Sequence, residues 1–75
     1  MGSKYPILPS KEIVKVLKRF GFEKVSQKGS HVKYKKSNDH SKIVIIPLHG
    51  EIAKGTLKSI LDQADILLED FLEEL

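Results

Sequence analysis

Cysteine and tryptophan are absent from this 75-residue chain. With no thiol there is no disulfide scaffold, no cysteine nucleophile and no sulfur-based zinc knuckle, and the reducing cytoplasm is the expected compartment. Long apolar runs are missing as well. The longest, Ile43 to Ile46 extended past Pro47 to Leu48, falls far short of the ~20 residues of a membrane helix. The opening residues hold no stretch of signal-peptide length, so a mature soluble protein with no membrane partner is expected. Basic residues are absent from positions 59–75, which carry six acids, whereas positions 1–58 carry all 13 Lys and Arg against four acids, a net +9. A body of that charge favours an anionic partner, nucleic acid above all, because lysines set along a phosphate backbone release its counterions. A merely solvated surface is the competing explanation. A chain this short buries only ~60% of the surface it exposes when unfolded. One domain spanning 1–75 is expected, without a deep enclosed pocket.

Periodicity sets the order of elements. After an extended lead over residues 1–9, Ser10 is placed to cap a helix with an apolar stripe of Ile13, Leu17 and Phe20, ended by Gly21. Phe22–Lys28 reads as a strand, Gly29-Ser30 as its turn and His31–Lys36 as a second strand, in which His31, Lys33 and Lys35 alternate with Val32 and Tyr34. Residues 37–41 have the composition of a turn, and the β-branched stretch 42–47 makes a third strand. A loop over 48–52 leads to a helix at Lys54–Ala64 with Leu57, Ile60, Leu61 and Ala64 on one face. A short acidic helix over 67–75 follows. The pattern α-β-β-β-α-(α) predicts an α+β fold: a three-stranded antiparallel sheet with its helices on one face and the other face open. Ile43 to Ile46 are apolar at both parities, so one side of the third strand needs cover from another chain, a loop or a twisted edge. A protein partner or a second copy of the chain is one way to supply it.

The open face is where chemistry can sit. His31, Lys33 and Lys35 share it, and an imidazole, with its ordinary pKa of ~6.5, is the side chain best suited to proton transfer near neutrality. RNA cleavage without metal needs a base for the ribose 2′-OH, cations for the charge on phosphorus and an acid for the 5′-oxygen leaving group. His31 fits the first role and Lys28, Lys33 and Lys35 the second. His49, Lys33 and Lys35 are the candidates for the third, and the residues alone do not choose among them. An ordinary surface histidine beside a turn is the bland alternative for His31. His40 lies in a polar turn and is read as solvated. Lys54 opens the second helix, where free N–H groups and the helix dipole favour an RNA phosphate, while Gly55 is read as packing closely on the sheet. Three histidines at regular intervals on strand, turn and loop are no metal signature, so neither metal nor cofactor is expected.

Lys28-Gly29-Ser30-His31 after a first helix ending in Gly21-Phe22, followed by Pro47-Leu48-His49-Gly50 and by Lys54-Gly55-Thr56-Leu57-Lys58-Ser59-Ile60-Leu61, resembles the HicA toxin family over nearly the whole chain. The resemblance implies a double-stranded-RNA-binding-like fold and an mRNA interferase that stops translation. It implies His31 as the catalytic histidine, with Gly29 and Ser30 as the rest of its motif. It further implies a HicB antitoxin that blocks the active site, and a toxin that acts as a monomer or sits in a toxin–antitoxin assembly. Two other functions stay open on the residues alone: a non-catalytic RNA-binding module of the same fold, and a protein whose basic face meets an acidic partner. Asp65 departs from the family pattern, which often has glycine there.

Overall fold

The computed structural model describes residues 5–48 and 50–75, and at His40 the backbone alone. In chain order the elements are β1 (Leu8–Pro9), α1 (Ser10–Arg19), β2 (Phe22–Lys28), β3 (His31–Lys36), β4 (Asp39–Pro47), β5 (Glu51–Ile52), α2 (Lys54–Ala64) and α3 (Leu68–Glu73). β2, β3 and β4 form an antiparallel sheet in that order, and the helices cover one of its faces. This is the expected α+β arrangement. Val32 and Tyr34 of β3 and Val44 and Ile46 of β4 are buried against Ile13, Val16 and Leu17 of α1 and Leu57, Ile60 and Leu61 of α2. Alternation along each strand turns the opposite parity to the open side.

Several elements depart from the sequence expectation. Ser10 does not cap α1: Pro9 occupies the N-cap without a side-chain hydrogen bond, and Ser10 is the first helical residue, its N–H donating 3.3 Å to the Gly50 carbonyl. Its backbone is engaged by the segment before α2, so the hydroxyl has no cap geometry to fill. Val16, not Phe20, completes the buried stripe, because Phe20 already sits past the last helical turn and is only half-buried. The turn before β4 narrows to Ser37-Asn38, since Asp39 pairs opposite Lys36. The loop over 48–52 contains β5, which pairs antiparallel with β1, Leu8 opposite Ile52. The lead is therefore a strand at its end, and the last helix is shorter than 67–75.

Two turns show why particular residues stand where they do. Gly21 has φ +90°, a backbone state that suits glycine, and its carbonyl accepts both the Ser37 N–H (2.9 Å) and the Ser37 hydroxyl (3.0 Å). That ties the far end of the β3–β4 hairpin to the exit of α1. At the same hairpin the Asp39 carboxyl accepts the Ser41 hydroxyl at 2.6 Å and its N–H at 3.1 Å, which holds its pKa below the usual range, with Lys42 and Lys36 adding to the effect.

Asp65 ends α2 in the left-handed region at φ 59°, ψ 44°. Its N–H donates to the Asp62 carbonyl and the Ile66 N–H to the Leu61 carbonyl, the paired closure of a Schellman turn. Glycine holds that conformation without the Cβ clash that aspartate carries. The carboxylate recovers an ion pair to Lys42 Nζ at 3.2 Å, but the acid is mostly exposed and such pairs contribute about 0–1 kcal/mol. Asp65→Gly is accordingly expected to raise the melting temperature by a few degrees, as a net gain of about 0.5 kcal/mol does in a domain this size. A lower melting temperature would mean that the Lys42 pair outweighs the backbone strain.

Candidate nucleic-acid interface

The β2–β3 hairpin builds the open face. Gly29 and Ser30 are its two loop residues, and only Gly29 has positive φ, +61°, the pattern of a II′ turn whose twist matches the flanking strands. The Gln27 side-chain amide donates to the Gly29 carbonyl at 3.0 Å, and the Leu48 N–H donates to the Ser30 carbonyl. The turn is thus pinned from both neighbouring strands. It places Lys28 directly opposite His31.

A bulge controls which β2 residues join them. Lys24 pairs with Tyr34, but the next pair is Ser26 with Lys33, so Val25 is an extra residue on β2. Without it, Val25 and Gln27 would follow Glu23 onto the open side. With it, Ser26 and Lys28 do. The pairing then gives three cross-strand rows on the open face: Lys28, His31 and Pro47; Ser26, Lys33 and Ile45; Glu23, Lys35 and Ile43. The central column is cationic, the β4 column apolar and the β2 column polar. Neighbours across a row stand about 5 Å apart, and residues along a column recur every ~6.6 Å.

His31 is exposed, and with Ser26, Lys28, Lys33 and Ile45 it lines a concavity of about 560 Å³. Lys35 stands one row farther, half-buried, in a smaller hollow with Glu23, Lys24, Val25, Lys36 and Ser37. Of the groups considered for protonating a leaving oxygen, Lys33 shares the concavity of His31, Lys35 does not, and His49 lies outside the described residues. His40 is a backbone position of β4 near the opposite end of the sheet from His31, where the register jumps from Ile43 to Asp39. Tyr34 is unsuited to the open side: its ring is buried under the helices, and burial pushes its phenol pKa up.

Lys54 is exposed at the first position of α2, on the covered side of the sheet, and is not among the residues lining the concavity. Gly55 does not pack closely on the sheet. It is exposed, and a Cβ built on it meets nothing within 4 Å. Among the described residues no three His, Cys, Asp or Glu side chains gather as a metal site. Among the described residues no helix is long and apolar enough to cross a membrane.

Ser26 and Ile45 were not singled out by the sequence. The bulge that admits Ser26 leaves no compositional mark. Ile45 sits in a run apolar at every position, where parity is decided by register: Val44 and Ile46 are buried, while Ile43 and Ile45 remain 39% and 47% exposed. The family model described as HicA toxin of bacterial toxin-antitoxin matches residues 10–66, from the first residue of α1 to just past α2. No curated protein matches the chain.

Proposed function

Given that the chain belongs to the HicA toxin family of bacterial toxin–antitoxin systems, we propose that it is an endoribonuclease that cleaves messenger RNA with His31 as the proton-transfer group and so inhibits translation. The observation that carries this is the exposed His31 in one concavity with Lys28 and Lys33 on an uncovered sheet face. In the proposed reaction the neutral imidazole takes the proton of the ribose 2′-OH. O2′ attacks the adjacent phosphorus, and the bond to the 5′-oxygen breaks as that oxygen receives a proton. The products are a 2′,3′-cyclic phosphate and a 5′-hydroxyl end. Lys28 and Lys33 hold the non-bridging oxygens, whose charge is greatest in the transition state. Lys33 also stands where it can serve the leaving oxygen. Gly29 and Ser30 contribute the tight turn that leaves room for backbone approach beside His31.

Lys35 extends the cationic column, and Lys54 contributes at most a peripheral phosphate contact from the covered side. The natural partner is a HicB-type antitoxin, and the site of action is the cytoplasm. The proposed chemistry uses protein groups alone. Induction of the wild-type chain in a bacterial host is expected to arrest growth, and induction of His31→Ala at equal protein level is expected not to. Arrest of equal depth by both chains would remove His31 from the mechanism.

A further inference from the structure

Granted the RNA-cleaving role proposed above, we infer that the substrate is engaged as an extended single strand lying along β3, with nucleobases seated on Ile45 and Ile43. Ile45 is 47% exposed inside the same concavity as His31 and Lys33, and Ile43 is 39% exposed one row farther. Each isoleucine is directly opposite a lysine, Lys33 beside Ile45 and Lys35 beside Ile43. An unpaired nucleotide presents the matching pair of surfaces, a phosphate on one side and an apolar base face on the other. An unpaired base can bury its apolar face against aliphatic side chains, a non-directional gain that does not require the base to be read by sequence.

The column spacing supports the same occupant. Alternate side chains of β3 recur every ~6.6 Å, a step that an extended backbone can follow from His31 at the scissile site to the cations Lys33 and Lys35. A duplex hides its base faces in its own stack, so it gains nothing from the isoleucines. A HicB-type antitoxin that blocks this face would cover the same file of side chains in the assembly, whereas in the free toxin an apolar file bordered by the Lys33 and Lys35 ammonium groups fits an RNA strand. Ser26, the third member of the row of Lys33 and Ile45, offers a hydroxyl to sugar or base on the β2 side.

The test uses the whole chain and a nine-nucleotide RNA carrying 2′-O-methyl groups, which binds without being cut. Ile45→Ala is expected to weaken binding about tenfold, from the apolar area left in water, with the salt dependence unchanged. Lys33→Ala is expected to lower the salt slope by about one. Val25→Ala, which truncates an equally exposed apolar side chain at the β2 bulge, is expected to change nothing, and all three variants should melt close to wild type. The wild type should bind the strand more tightly than the same sequence annealed to its complement. If the wild type binds the strand and Ile45→Ala binds it equally well, the isoleucine platform is wrong while the RNA reading stands. Equal RNA affinity combined with a loss of self-association would instead assign Ile45 to a protein interface. If the wild type binds no RNA in either form, the functional reading itself fails.

Discussion

Replacing His31 by Ala is expected to reduce RNA cleavage by about 10²- to 10⁴-fold, the usual contribution of one positioned acid-base group, while RNA affinity stays within about threefold of wild type. On the proposed reading, affinity on this face would come from Lys28, Lys33 and Lys35 through counterion release and from the apolar β4 column, none of which depends on the imidazole. Fold stability is also expected to be preserved. His31 is exposed at the first position of β3, its backbone pairs with Lys28 and Pro47 whatever its side chain, and alanine fits an edge-of-turn strand position at small cost. The separation of cleavage from binding is what distinguishes a catalytic histidine from a phosphate contact. Single-turnover cleavage and equilibrium binding, measured on the same preparations with a melting curve as control, provide the check. A parallel fall in both would reduce His31 to a binding residue.

Phe71→Ala is expected to cost about 3–5 kcal/mol, the range for emptying a fully buried aromatic site. Phe71 is completely buried in the common core, yet it belongs to α3, which lies beyond the matched family region of residues 10–66. A six-residue helix has no stability of its own, so what holds α3 in place is this ring, with Leu68 half-buried against the same core. The Arg19–Glu74 ion pair at 3.3 Å joins α1 to the end of α3, but both side chains are largely exposed and the pair adds little. A domain of this length has a total stability of roughly 4–11 kcal/mol, so the variant should lose at least about 15 °C in melting temperature. Arg19→Ala should lose no more than a few degrees. A Phe71→Ala chain that melts like wild type would show that α3 is dispensable to the core.

Much of this architecture is legible in the sequence where one strong local signal decides. The alternation from His31 to Lys36, the glycine at position 29 and the stripe of Leu57, Ile60, Leu61 and Ala64 each mark an element whose limits match the structure. Non-local pairing is where legibility ends. β1 and β5 are two-residue strands that exist because Leu8 meets Ile52, and neither segment has a pattern of its own. The Val25 bulge is set by how β2 must bend against β3, and it changes the face of every later β2 residue. The cationic column of the site could therefore be read directly, whereas its flanks, Ser26 on one side and Ile45 on the other, required the register. At Gly55 the motif suggests close packing, but the backbone there faces open space.

The most direct measurement is the product chemistry of the purified wild-type chain in excess chelator, acting on an RNA and on the same RNA methylated at every 2′-oxygen. The predicted result is cleavage of the first into fragments with 2′,3′-cyclic phosphate and 5′-hydroxyl ends, with the second bound but intact. Cleavage that appears only when divalent metal is restored, or that proceeds equally on the methylated strand, would contradict proton transfer from ribose to the His31 imidazole.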